Sequence, residues 1–135
     1  MTPALSVIIP THERPDILAE CLAHLERQSV AGEIEAIVIH DGQDAKTDAR
    51  VANSSWQIPV HYESIPKSQQ GVARNRGVVH ARASTCLFLG DDMFLKPDAC
   101  AHHIAAHANA RTPSAVLGFI TWDDAVGITP DMTWL

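Results

Sequence analysis

The chain has no basic excess: ten Lys and Arg stand against sixteen Asp and Glu, for a formal net charge of -6, and the cations are scattered. A nucleic-acid backbone needs a positive stripe, so it is excluded as the expected partner, and any bound anion must be held locally. No run of about 18 apolar residues occurs, and Met1-Thr2-Pro3-Ala4 opens with no cationic segment ahead of an apolar one. Neither a membrane span nor a leader is expected, and the reading is a soluble, cytoplasmic chain. Cys21, Cys86 and Cys100 are odd in number, far apart and without a Cys-x-x-Cys. That pattern points to inert buried thiols rather than a disulfide or zinc framework.

Glycine is missing where two large classes of nucleotide site require it. Residues 11–15, Thr-His-Glu-Arg-Pro, follow the first apolar run and hold no glycine. Dinucleotide sites need G-x-G-x-x-G in that turn, and mononucleotide P-loops need G-x-x-x-x-G-K, so NAD, FAD and Walker-type ATP binding are poor readings. His103 and His107 share a helix face, but the glutamate of H-E-x-x-H is absent, so they read as surface histidines.

What is present is an alternation of apolar runs with amphipathic segments, within a length of 135 residues that accommodates one domain. Residues 5–9 form a short apolar run ended by Pro10, suiting a buried strand. Pro15 then opens a helix whose Ile17, Leu18, Cys21, Leu22 and Leu25 make one apolar stripe. A second strand is expected over 34–39, closed by Asp41-Gly42, and a weaker helix over 44–53. A short edge strand follows over 59–62, where Pro59 is tolerated. The pattern continues with a helix over 71–82, a strand over 85–89, an Ala-rich helix from Pro97 to about residue 109, and a fifth strand over 115–121, after which 123–130 reads as loop. Strands alternating with helices in this way predict an α/β fold with a mainly parallel sheet and helices on both faces.

In such sheets ligands bind outside the carboxyl ends of the strands. Thr11, His12, Glu13 and Arg14 follow the first strand, His40 and Asp41 the second, and Asp91 and Asp92 the fourth. Adjacent carboxylates at a sheet mouth repel unless a cation sits between them or each is well solvated. A hard divalent ion, Mg or Mn, would satisfy Asp91 and Asp92 and would also bridge a diphosphate; a solvated turn or helix cap is the alternative. The segment Gly71-Val-Ala-Arg74-Asn75-Arg76-Gly77 offers free N–H groups at a helix start and two guanidiniums, a candidate diphosphate clamp. Arg74 and Arg76 lie on opposite faces, and Arg74 is assigned inward because Gly77 then falls nearer the sheet and allows close packing. Asp41 could accept the imide N–H of uracil or a ribose hydroxyl, or serve only as the turn aspartate of Asp-Gly.

Taken together, Ser6-Val-Ile-Ile-Pro-Thr-His-Glu-Arg-Pro15, Ile37-Val-Ile-His-Asp-Gly42, Gly71-Val-Ala-Arg-Asn-Arg-Gly77 and Leu87-Phe-Leu-Gly-Asp-Asp92 resemble family 2 glycosyltransferases of the GT-A fold in order and spacing. The resemblance implies a Rossmann-like nucleotide-binding half whose segment Pro10, Thr11 and His12 lines the base. It places Asp41 on uracil or its equivalent, Arg74 near the diphosphate, Asp91 near the ribose or sugar, and Asp92 on the metal. It implies an inverting transfer from a nucleoside diphosphate sugar, a UDP-sugar favoured, to a carbohydrate or other hydroxyl acceptor. Three departures stand out: His12 where tyrosine is common, His40 where aspartate is, and Gly90 where the first acid of D-x-D is usual.

Competing readings are a nucleotidyltransferase, which would need a glycine-rich basic first loop; a phosphoacceptor domain, which would need acids after the first strand and a lysine after the fifth; and a noncatalytic nucleotide-sugar-binding module. No general base is assigned, since Asp98, Asp123, Asp124 and Asp131 sit at a helix start or in the final loop. The apolar ending Met132-Thr-Trp-Leu135 reads as an element awaiting further packing, so the expectation is a truncated enzyme that binds donor without transferring it.

Overall fold

The computed structural model describes residues 2–134, with the side chain of Trp134 excepted; the sequence expectation for Trp134 and Leu135 lies outside the described side chains. Four parallel strands form one sheet in the order β3-β2-β1-β4: β1 is Leu5–Thr11, β2 Ile34–Asp41, β3 Val60–Ile65 and β4 Cys86–Phe88. The helices between and after them are α1 (Pro15–Glu26), α2 (Ala45–Ala52), α3 (Gln70–His80) and α4 (Ala99–Ala108). Each forms for a local reason. Pro15 enters α1 in its first turn, where its missing N–H costs nothing. Asp44 caps α2 by accepting from the Lys46 and Thr47 N–H groups.

Alternation along the strands sorts the two faces. Leu5, Val7 and Ile9 with Ala36 and Val38 pack against Leu18, Cys21, Leu22 and Leu25 of α1, Val51 of α2 and Cys100 of α4. The opposite face is thinner: Ile8, Ile37, Ile39 and Ile65 meet Ala73 of α3. Here the close approach depends on Gly77, since a Cβ at that position would run into Ile8 Cγ2. Helices therefore lie on both faces, and Gly77 faces the sheet as its spacing from Arg74 predicts. Below this core the same face holds a polar knot, in which Glu35 accepts from Ser6 Oγ at 2.6 Å and from Arg82 Nε at 2.7 Å. Burial pushes the Glu35 pKa up, but the bonds from Ser6 and Arg82 more than offset it and hold the group below its ordinary value.

The expected fifth strand does not form. Residues 115–121 have no strand assignment, and the apolar side chains behind that expectation, Leu117 and Phe119, are 91% and 92% exposed. A strand needs a hydrogen-bonded neighbour, and the edge it would join, β4, is only three residues long. The segment instead crosses over α4, where a Cβ at Gly118 would lie 3.3 Å from His103 Nε2, so His103 is half-buried rather than a plain surface histidine. Residues 124–126 form a 3-10 turn within the expected loop. Cys21 and Cys100 are buried free thiols, pushed up to about 12 and about 11 chiefly by burial, as inert core cysteines should be.

Candidate functional site

The chain runs outward from β1 to β2 to β3, then returns through α3 to place β4 on the other side of β1. The order reverses between β1 and β4, which is where an open α/β sheet leaves a crevice at its carboxyl edge. A cleft of about 360 Å³ opens there, lined by Pro10 and Arg14 after β1, Gly90, Asp91 and Asp92 after β4, Gln70 and Arg74 from α3, and Ile120 from the crossing segment.

Two neighbours at the end of β2 organise the adjoining loops. His40 is fully buried; its Nδ1 donates to the Gly42 carbonyl at 2.8 Å and its Nε2 accepts the Glu13 N–H at 3.2 Å, which puts the ring hydrogen on Nδ1. Asp41 points to the other face and accepts from Ser68 N–H at 2.6 Å, Gln69 N–H at 3.0 Å and Lys67 Nζ at 2.8 Å. The Lys67 hydrogen bond outweighs burial and holds the Asp41 pKa below its ordinary value. Two of the residues so anchored, Glu13 and Gln69, are the non-glycine residues with positive φ among the described residues, at 49° and 75°. Such backbone costs on the order of 1–3 kcal/mol each and persists where its surroundings hold it.

At the mouth of the cleft, Asp91 is 1% exposed and accepts from Thr11 Oγ1 at 2.8 Å and from Arg14 Nη2. Burial raises the Asp91 pKa, opposed by Thr11 and Arg14 and reinforced by the Asp92 charge. Arg14 also brings Nη1 to 3.6 Å from Asp92 Oδ2. The cation that adjacent carboxylates require is thus supplied in part by the protein itself. Asp92 remains largely exposed, and a Cβ at Gly90 would meet its Oδ1 at 2.9 Å. Gly90, by lacking a side chain, makes room for the Asp92 carboxylate.

The start of α3 faces the same cleft. Its N-cap, Gln69, offers no side-chain bond to the first N–H groups, and a Cβ at Gly71 would stand in open space. Arg74 bonds Gln70 Oε1 through Nη2 at 3.3 Å, while its Nε is buried without a hydrogen-bond partner among the described residues. An unpartnered guanidinium N–H beside a helix N-terminus is suited to an anion that completes it.

Of the residues predicted from sequence, Pro10, Arg74, Asp91 and Asp92 come together around this cleft. The Thr11 hydroxyl is committed to Asp91. His12, just after β1, meets Asp41 at the end of β2: His12 Nδ1 bonds the Asp41 carbonyl at 2.7 Å, and the His12 ring centroid lies 5.9 Å from that of His40, the planes tilted. Arg14 and Lys67 were given no role by the sequence reading. Both are cations beside a strand-end carboxylate, the signal by which they could have been found.

Residues 6–131 match the family described as Glycosyl transferase family 2. A validoxylamine A glucosyltransferase of Streptomyces hygroscopicus subsp. limoneus is 32% identical over 121 residues, covering 86% of this chain and 26% of its own length. A PGL/p-HBAD biosynthesis glycosyltransferase of Mycobacterium bovis is 32% identical over 119 residues, covering 83% of this chain and 44% of its own. The chain thus spans less than half the length of either relative. Among solved structures, S. aureus TarS 1-349 in complex with UDP-GlcNAc superimposes with a TM-score of 0.69 at 23% identity, over 75% of this chain and 30% of that one. The mannosyltransferase PcManGT of Pyrobaculum calidifontis, in complex with GDP-Man and Mn2+, does so with a TM-score of 0.66 at 19% identity, over 75% and 31%. These two show the GT-A type of fold, and with the match running through every strand and helix described above, the chain belongs to glycosyl transferase family 2.

Proposed function

We propose that the carboxyl edge of this sheet binds a nucleoside diphosphate sugar, UDP-linked by preference, and that the chain is the donor half of an inverting glycosyl transfer to an acceptor hydroxyl. The observation that carries the reading is the cleft at the sheet's switch point, with the buried, unpartnered Arg74 Nε beside the start of α3 and the carboxylates of Asp91 and Asp92 opposite. Relatives named as glycosyltransferases and neighbours holding UDP-GlcNAc or GDP-Man support it.

In this reading Arg74 and the free N–H groups of α3 hold the diphosphate. The base lies over Pro10 and the exposed His12 ring, an imidazole being able to stack on it. Asp41 uses three acceptor sites of about four on the Lys67–Gln69 loop, leaving one for a base N–H or a ribose hydroxyl. Asp91, fixed by Thr11 and Arg14, faces the ribose or sugar. The acceptor hydroxyl attacks the anomeric carbon from the side opposite the departing diphosphate.

The donor set at the mouth consists of oxygens, which fits Mg or Mn; Asp92 would hold the ion, with Asp91 in support. No third His, Cys, Asp or Glu joins these two among the described residues, so the diphosphate would complete the coordination. Held there, the ion would supply charge neutralisation at the leaving diphosphate. Of the carboxylates beyond Asp92, Asp98 stands at the start of α4 and Asp123 caps its own turn through the Ala125 N–H, and no general base is assigned. Donor binding is the activity proposed for these 135 residues.

Calorimetry with UDP tests the metal half of this reading. Affinity should fall at least tenfold, about 1.4 kcal/mol, when Mn is replaced by EDTA, and Asp92→Asn should weaken binding more than Asp91→Asn. Equal affinity in Mn and EDTA would remove the metal from the account.

A further inference from the structure

We propose a second metal site, for zinc, formed by His61 and Glu63 of β3 and His80 of α3, on the edge of the sheet and outside the donor cleft. Among the described residues these three bring one ligand atom each to within 4.8 Å of one another. Their placement follows from the fold. His61 and Glu63 are two apart on β3 and pair in register with Ile37 and Ile39, which belong to the face covered by α3. Arg76 and His80 are one helical turn apart on α3 and approach that same face.

Glu63 is the centre of the group. Arg76 donates to it through Nε and Nη2, both at 2.8 Å, and His80 Nε2 lies 2.7 Å from Oε2. The His61 ring stands beside the His80 ring, with centroids 4.1 Å apart and planes at 31°. Two imidazoles and a carboxylate form a donor set that zinc uses with three protein ligands and a fourth position left to water. Imidazole nitrogen selects zinc over the harder Mg and Mn suited to Asp92, so the two sites would divide the metals by ligand chemistry.

The proton and charge balance is simple. With no metal, a hydrogen on His80 Nε2 bonds Glu63; zinc takes that position, the imidazole binds as a neutral ligand, and a proton is released if the ring carried two. His80 Nε2 already stands 2.7 Å from Glu63 Oε2, and rotation of the His61 and His80 side chains would set the ligand-to-ligand spacing that zinc needs. Arg76 bonds both carboxylate oxygens, Nε to Oε2 and Nη2 to Oε1, and orients the group as an outer partner while Oε2 also turns to His80. The Arg76 hydrogen bond also holds the Glu63 pKa down to about 2, which keeps the carboxylate ionised near neutral pH. None of the three lines the donor cleft, so the ion would act on the joint between β3 and α3 and not on the donor. Zinc would clamp the edge strand to the last turn of α3, the helix whose first turns carry Arg74.

The test uses zinc alone, on the full chain freed of any affinity-tag histidines and of nucleotide. Titration should show one zinc per chain, and His61→Asn or His80→Asn should each lower its affinity at least tenfold. Circular dichroism should be unchanged for His61→Asn, an exposed strand position. The control His103→Asn with His107→Asn should bind as the parent does. Independently of any variant, one equivalent of zinc should move the imidazole NMR signals of His61 and His80 and leave those of His102 and His107 in place. Absence of binding, or binding that survives loss of both His61 and His80, overturns the proposal, as does a response confined to the α4 histidines.

Discussion

Arg14 spans the two acids at the mouth of the cleft, bonding Asp91 through Nη2 while Nη1 stands 3.6 Å from Asp92 Oδ2. The first strand-to-helix turn is thus joined to the β4 loop across 77 residues of sequence by a side chain that partly occupies a cation's place.

Removing that side chain should have two effects of opposite sign. Arg14→Gln leaves Asp91 short of a donor and should destabilise the chain by about 1–3 kcal/mol. It also uncovers Asp92, so the stabilisation gained on adding Mn should be larger than in the parent. Urea denaturation with and without Mn measures both; an equal gain from Mn in the two proteins would show that Arg14 does not compete with the ion.

Gly77 tolerates no side chain against Ile8. Gly77→Ala should destabilise by about 1–3 kcal/mol, the usual cost of forcing a methyl into a packed interface. Ile8→Ala, itself costly, should suppress most of that increment, and a double-mutant cycle of thermal denaturation reads the coupling. Additive effects would mean that Gly77 is not set by Ile8.

Asp41 should have a dual effect because it anchors the Lys67–Gln69 loop and has one acceptor site left. Asp41→Ala should lose affinity for uridine and also stability, whereas Gln69→Gly, which relieves the positive φ at 75°, should leave stability unchanged or raise it by about 1 kcal/mol. Titration of uridine and melting of both variants checks this. A loss of stability in Gln69→Gly would argue against strain at that residue.

Glu63 is held at about 2, below its ordinary 4.5, first by the Arg76 hydrogen bond. A depressed carboxylate contributes stability that is fully present above its unfolded value and lost as pH falls toward its folded one. The parent should therefore lose more stability than Glu63→Gln between pH about 5 and about 2, as read from denaturation midpoints. Parallel pH profiles would count against the Arg76–Glu63–His80 network in solution.

Much of the frame was legible because its signals are local. The apolar runs at Val7 to Ile9 and Ala36 to Ile39 need burial on both faces, and the spacing of Arg74 and Gly77 settles which side of α3 meets the sheet. The fifth strand does not form because an apolar segment such as Val116 to Ile120 says what a stretch resembles and not whether an edge is there to pair with. Arg14, Lys67 and the anchoring role of His40 were illegible for a related reason. Each acts on a residue more than 25 positions away in the chain, or, for His40, on the backbone of Glu13, whose left-handed turn nothing in its own side chain announces. The meeting of His61, Glu63 and His80 likewise depends on how α3 lies on β3.

Titration of UDP into the parent and into Arg74→Ala, both in Mn, tests the central claim most directly. The account predicts binding by the parent, a loss of at least tenfold in the variant, and uridine affinity alike in both, since Arg74 serves the phosphates. No heat of UDP binding in the parent, or equal UDP affinity in the two proteins, would contradict it.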